Sequence, residues 1–372
     1  MGVAVMRNVI VRSLVIPTTF FLVLWLAFPA TPAQAAVTIT QFSLGNYGGA
    51  GPDPAISDDT VVYAESGYHG SIYWSVCGYN LETQQEFLIW TGDWSTAQPR
   101  PAISGNTVVW MDHDRLGLGG SALTSYDLAS GTTGSLLWRG NAATGLAIYG
   151  SVVVFAEVHN PYEIFRYDIS GYDLATNYKF PICTAVGDQG APRISDNIVV
   201  WSDNRNGNTD IYGYDLSAHS EFAICTAAGG QYNPAISGDT VVWSDDRNGA
   251  DIYGYDLSTH TEFAICTSGT AGGVAISGET VIWHDWRDSA QGIMYLCGYN
   301  LSTHEEFRIC ARKTGEDPAA ISGNTVVWCD NSGHLSAATI TYGPTIPEPG
   351  TIFIIASGIL AMGQALFRSR QR

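Results

Sequence analysis

The chain has 372 residues, 45% of them hydrophobic and only 14% charged, so it can bury a core and is not generically disordered. Seventeen Lys+Arg stand against 35 Asp+Glu for a net charge of -18, with just two lysines, Lys179 and Lys313, which excludes a basic nucleic-acid binder. The 41 Gly, 11 Trp and 19 Tyr favour many short strands and turns over helices.

From the N-terminus, residues 1–35 read as a secretory signal. Arg7 and Arg12 supply a positive start, Leu14 to Phe28 an apolar core, and Ala33-Gln34-Ala35 a small-x-small cleavage pattern.

Residues 36–343 are built from one repeated unit. Its clearest copy runs from Asn233-Pro-Ala-Ile-Ser-Gly through Thr240-Val-Val-Trp-Ser-Asp and Asp251-Ile-Tyr-Gly-Tyr-Asp-Leu to Glu262-Phe-Ala-Ile-Cys. A marker isoleucine, followed by serine in six copies and by Tyr149 in the third, recurs at positions 56, 103, 148, 194, 236, 276 and 321. Each copy reads as four short strands rich in Val, Ile, Tyr, Trp and Phe, with Gly, Asn, Asp and Ser in the turns between them. Four antiparallel strands per roughly 40–45 residues is the pattern of a propeller blade. The seventh copy lacks its fourth strand. Phe42-Ser-Leu44 stands as far before Ile56 as Phe222-Ala-Ile224 does before Ile236, so the N-terminal segment is expected to close the ring beside the strand near Ile340. The expected fold is therefore all-β, a seven-bladed β-propeller closed by its N-terminal strand.

The units carrying Trp243-Ser-Asp-Asp-Arg247-Asn-Gly and Asp251-Ile-Tyr-Gly-Tyr-Asp256-Leu, with their copies near Trp201 and Asp210, resemble the TolB-type propeller repeats of periplasmic and cell-surface proteins. The resemblance is fullest in blades 4 and 5, partial in blade 6 and only in outline in blades 1 to 3. It implies a scaffold that mostly binds proteins or glycans and in a few members is an enzyme, so it does not settle function.

Residues 344–372 form the other flank. Pro347-Glu348-Pro349 is followed by the apolar stretch Thr351 to Phe367 and then by Arg368, Arg370 and Arg372. Seventeen helical residues would span roughly 25 Å, short of a hydrocarbon core of about 30 Å but workable with snorkelling arginines. The order of tripeptide, span and basic tail is similar to the PEP-CTERM sorting signal of exported Gram-negative proteins. That resemblance implies a transmembrane sorting helix, an exosortase-type membrane peptidase as partner, and transient anchoring before delivery to the cell surface or beyond. Without both flanks, residues 36–343 hold 12 basic against 34 acidic residues, a net of -22. Cations, neutral exopolysaccharide or surface proteins fit such a partner surface better than anionic polymers.

Two positions after the aromatic that ends each second strand sits an acid: Glu65, Asp112, Glu157, Asp203, Asp245, Asp285 and Asp330. One reading has each acid cap its own loop or pair with Arg205, Arg247 or Arg287; the sharper one has a carboxylate ring that attracts Ca²⁺ or a cationic partner. The loop Asp203 to Asp210 fails as a calcium loop, because Arg205 stands at its third position and Gly207 at its fifth. Departures from the repeat supply the ligand-binding candidates Trp74, His113, Asp114, Glu157, His159, His284 and Trp286, placed on connecting loops where propellers commonly bind. No nucleophile elbow, zinc-protease or phosphate-loop motif occurs. The sequence is accordingly read as a binding or interaction module that needs no cofactor. The alternatives are a polysaccharide-active hydrolase or lyase using loop carboxylates, and a structural coat protein. Of the seven cysteines, Cys183, Cys225, Cys266 and Cys310 share an outer-strand register and are expected as buried thiols, while Cys297 and Cys310 are the one pair close enough in sequence to consider bridging.

Overall fold

In the second strand of each unit, three consecutive apolar residues follow a threonine, or Val152 and Ile198 in blades 3 and 4, as in Val241, Val242 and Trp243 of Thr240–Asp245. All three are fully buried. A strand with one wet face would alternate; an uninterrupted apolar run means that both faces of the sheet are covered. A propeller meets that demand by stacking every blade between two others.

The computed structural model describes residues 37–46, 53–66, 74–92, 98–113, 121–140, 143–158, 166–313, 319–329 and 334–343. The expected signal at residues 1–35 and the sorting segment with Pro347, Glu348 and Pro349 lie outside the described residues. Among the described residues, Val37 to Tyr342 fold into seven four-stranded sheets. Six are consecutive in sequence, and each runs from an inner to an outer strand. Blade 4, for example, comprises Gln189–Ser195, Ile198–Asp203, Asp210–Asp215 and Ser220–Cys225. The seventh sheet has the order Ala320–Ser322, Thr325–Cys329, His334–Tyr342 and Val37–Asn46, so the first strand of the chain is the outer strand of the last blade. Its antiparallel register sets Ile39 against Ile340 and Phe42 against Ala337. The closing strand is therefore longer than Phe42 to Leu44, and it has a bulge between Ser43 and Gly45. Blade 7 packs on both neighbours: Val326, Trp328 and Ile340 meet Ile282, Leu296 and Ile309 of blade 6, and Leu44, Val327 and Leu335 meet Ile56, Val61 and Tyr63 of blade 1.

The glycine of the third strand has a packing reason. A Cβ at Gly254 would lie 2.6 Å from the Phe263 ring of the outer strand, and blades 1, 3, 4 and 6 repeat the arrangement at Gly78, Gly171, Gly213 and Gly298. The phenylalanine of the outer strand lies flat against backbone that carries no side chain.

A second repeated device joins the blades. The serine that ends an inner strand accepts a hydrogen bond from the backbone N–H of the next blade's turn: Gly105 to Ser57 Oγ (3.0 Å), Gly150 to Ser104 (3.0 Å), Gly238 to Ser195 (3.1 Å), Gly278 to Ser237 (2.9 Å), Gly323 to Ser277 (2.9 Å) and Asp58 to Ser322 (3.0 Å). The seventh junction uses side chains instead, with Tyr149 Oη donating to Asp196 Oδ1 at 2.6 Å. Each of the six backbone donors sits in a tight turn at positive φ, between 50° and 57°, which explains glycine at five of these positions and Asp58 at the sixth. The Ser322–Asp58 bond crosses the join between chain ends and completes the circle.

None of the seven cysteines is in a disulfide, and six are buried with Cys310 half-buried. Cys297 lies opposite Arg308 and Cys310 opposite Leu296, so the two thiols are offset across their hairpin and no bridge forms.

Closure makes a measurable prediction. Ile340→Ala empties a site that is 1% exposed in the blade 6–7 interface and should cost about 2–5 kcal/mol in denaturant unfolding. Ser322→Ala should cost about 1 kcal/mol by removing one hydrogen bond. A negligible loss for Ile340→Ala would mean that the last blade is not packed into the ring.

Candidate functional site

The loops joining second to third strands share a side of the ring with the blade-to-blade connections. Three of the seven expected acids, Asp203, Asp245 and Asp285, are fully buried there. Asp203 accepts from Trp201 Nε1 (2.9 Å), the Arg205 backbone N–H (2.9 Å) and the Arg205 Nε and Nη2 (3.0 and 2.6 Å). Arg205 also donates to Glu221 of the outer strand (2.5 Å) and to Cys183 Sγ of the preceding blade (3.0 Å), and it stacks 4.2 Å over Tyr212. Blade 5 repeats the cluster with Asp245, Arg247, Glu262, Cys225 and Tyr253. Blade 6 keeps Asp285, Arg287 and Glu306. Burial opposes ionisation of Asp203, but the Arg205 side chain and the Trp201 indole N–H outweigh it and hold the carboxyl below its ordinary range. Burial pushes the Cys183 thiol up to about 12 and the Cys225 thiol to about 11, so neither is a thiolate at neutral pH.

The remaining acids do not join these in one open ring. Glu157 pairs with Lys179 (2.6 Å) and accepts from Ser170, so blade 3 has its base on the outer strand, where blades 4 to 6 have a glutamate. The Asp112 side chain and Asp330 lie outside the described residues. Glu65 differs from all of these. It accepts from the Cys77 thiol (3.7 Å) and lies near Glu86, which accepts from Tyr63 Oη (2.7 Å), and among the described residues no lysine or arginine pairs with either carboxylate. Burial first and Glu86 second push Glu65 up to about 7. Glu65, Cys77 and Glu86 place three donor atoms within 4.8 Å of one another, as Asp285, Cys297 and Glu306 do, but the second trio is already bridged by Arg287.

The expected ligand contacts are dispersed. Asp114 and His159 lie outside the described residues, and His113 ends the strand Thr107–His113 with its side chain undescribed. Trp74 is half-buried at the start of Trp74–Asn80 in blade 1, with a blade between it and the blade 6 candidates. His284 requires a correction. It is 3% exposed inside the strand Thr280–Asp285, opposite Gly272, because the second strand of blade 6 runs on through it and the facing glycines leave room for the imidazole. Trp286 does lie on the turn that follows, half-buried, with its ring over Gly272. Sequence reasoning missed Tyr232, which is 38% exposed in blade 5 at the register held by Gly190 in blade 4 and Gly272 in blade 6. Ser244, opposite Tyr232 and close to Gly272, has a buried hydroxyl without a hydrogen-bond partner among the described residues. The buried amides of Gln189 and Gln231 also lack partners there, and such groups ordinarily hold water or a ligand.

The inner strands enclose a channel of about 560 Å³. The residue preceding the marker isoleucine lines it in every blade: Ala55, Ala102, Ala147, Arg193, Ala235, Ala275 and Ala320. Asp53 and Arg100, two positions earlier in blades 1 and 2, form an ion pair at 2.8 Å. Burial raises the Asp53 pKa, with Arg100 opposing.

No family model and no curated protein matches the chain. Solved structures do. The propeller domain of the Trilobed protease from Pyrococcus furiosus, of open velcro topology, is 13% identical, with 77% of this chain and 90% of that one covered and a TM-score of 0.55. An oligogalacturonate lyase in complex with manganese is 13% identical over 84% and 94%, also at 0.55. TolB from Acinetobacter baumannii is 14% identical over 78% and 79%, at 0.44. Likeness at such identities is one of fold: the chain is a seven-bladed propeller, here closed by its own first strand.

The two kinds of carboxylate predict opposite pH responses. Asp203, Asp245 and Asp285 have depressed folded pKa values, so their stabilisation is present above the unfolded value of about 3.9 and is lost as pH falls through the lower folded values. Glu65 is raised, so the folded state binds the extra proton and stability declines as pH rises from the unfolded value of about 4.3 towards 7. Glu65→Gln should flatten that decline and leave the acid limb in place, as read from urea midpoints between pH 3 and 8. An unaltered decline would remove Glu65 as its source.

Proposed function

We propose that the chain is an exported binding module that presents the loop side of its propeller to a glycan or protein ligand at the cell surface or in the extracellular matrix. The observation that carries this reading is Tyr232 and Trp286, an exposed and a half-buried aromatic contributed by neighbouring blades on either side of the buried Ser244 hydroxyl. Aromatic faces suit sugar rings and protein hot spots alike. Charge agrees with a neutral or cationic ligand on this outer surface, given the net of -22 over residues 36–343. No cofactor is needed for such binding, and the three clamped aspartates have their oxygens engaged by arginine and, in blades 4 and 5, by tryptophan. Delivery in this reading follows the terminal signals. Residues 1–35 direct export, and Pro347-Glu348-Pro349 with its apolar span and arginine tail is handed to an exosortase-type peptidase.

On a glycan array probed with the full chain, Tyr232→Ala and Trp286→Ala should each weaken the best signal by roughly tenfold, equivalent to ~1.4 kcal/mol. Retention of full binding in both variants would move the ligand elsewhere on the ring. Replacing Pro347, Glu348 and Pro349 by alanine should hold the protein in the cytoplasmic membrane fraction; unchanged release to the surface would refute the sorting assignment.

A further inference from the structure

We propose that the central channel is an oxyanion site in which Arg193 receives the carboxylate or phosphate group of a small solute. The inference starts from a break in symmetry. In all seven blades the residue before the marker isoleucine faces the channel and lies opposite the second apolar residue of the second strand. Six blades place alanine there, from Ala55 to Ala320, and blade 4 places arginine. Packing alone does not call for the longest cationic side chain at a position that six equivalent blades fill with a methyl group.

The surroundings set this arginine apart from four others that hold ion pairs. Arg205, Arg247 and Arg287 each bind two carboxylates, and Arg100 pairs with Asp53. Arg193 donates one hydrogen bond, Nη1 to the Pro192 carbonyl at 2.9 Å, and among the described residues no carboxylate pairs with it. A guanidinium carries five N–H donors, so most of its hydrogen-bonding capacity faces the channel. The Arg193 side chain is exposed where it lines the channel, so its guanidinium is open to an entering ligand, and arginine stays protonated at any physiological pH. A cation held in a concave, alanine-lined channel without a counter-ion attracts an entering anion.

Size and shape fix the ligand class. The six alanines leave about 560 Å³, room for a monosaccharide or a comparable solute. The planar fork of arginine matches the two oxygens of a carboxylate or phosphate. The strongly acidic exterior disfavours an anionic polymer lying across the ring, so the charge must arrive on something small enough to enter. This site is separate from the Tyr232–Trp286 surface, and the two readings stand or fall independently.

Calorimetric titration of the full chain with inorganic phosphate, acetate and galacturonate, with neutral galactose as control, tests the proposal. Saturable 1:1 binding of at least one anion is expected, weaker by about tenfold or more in Arg193→Ala and intermediate in Arg193→Lys, which keeps the charge and loses the fork. The tightest of the three anions separates a sugar acid from free phosphate as the source. Arg193→Ala supplies a seventh alanine, so its unfolding midpoint should not fall below that of the parent chain; Arg193→Lys keeps the test open if it does. Tyr232→Ala and Trp286→Ala should leave anion binding unchanged. Absence of saturable binding in the parent chain, or equal binding in both Arg193 variants, overturns the proposal.

Discussion

A four-stranded sheet whose second strand is apolar on both sides cannot exist alone in water. Val241, Val242 and Trp243 in one blade, and their counterparts in the others, are buried only because another blade lies on each face. The chain must therefore return to its start, since an open array would leave two such faces wet. Placing Val37–Asn46 on His334–Tyr342 solves the problem with one segment. It supplies the missing outer strand of blade 7 and, through Leu44, part of the contact with blade 1. The serine-to-turn hydrogen bonds then fix the angular step between blades near the axis, where the inner strands approach most closely.

The arginine clusters do the corresponding work at larger radius. Each of Arg205 and Arg247 ties the second strand of its blade to the outer strand of the same blade and to a cysteine of the blade before. Because the aspartate is fully buried, removing the arginine would leave an uncompensated charge, a far larger penalty than losing an exposed ion pair. A residue repeated in blade after blade is being used to build blades. The acids Asp203, Asp245 and Asp285 belong to that class, which is why the arginine that spoiled the resemblance to a calcium loop is the partner that explains them.

The architecture was legible because its code is local and repeated. Strand composition, turn residues and a fixed marker isoleucine specify blades without any long-range information, and one unmatched Phe-Ser-Leu segment revealed the closure. Side-chain placement was less legible. His284 holds the register of Ser202 and Ser244, near the end of the second strand, so it reads as a loop residue; only the facing Gly272 and Gly273, on a different strand, leave room for it to turn inward. The Glu65–Glu86 pair was hidden for a similar reason: the two residues are 21 positions apart, and only strand pairing brings them together.

Tyr232 and Arg193 teach the complementary lesson. Both are departures from the repeat, and both were visible once registers were aligned, because Gly190 and Gly272 flank one and six alanines surround the other. They were overlooked because attention went to loops, whereas each sits on an inner strand. Arg193 lines the channel that all the inner strands share, so it is presented to one common space instead of to a private loop, whereas Tyr232, also on an inner strand, does not line it. A single arginine among six alanines therefore changes the character of the whole cavity, while a single loop substitution changes one blade. For a fold made of near-copies, the informative residue is the one that breaks the pattern at the position where all copies meet.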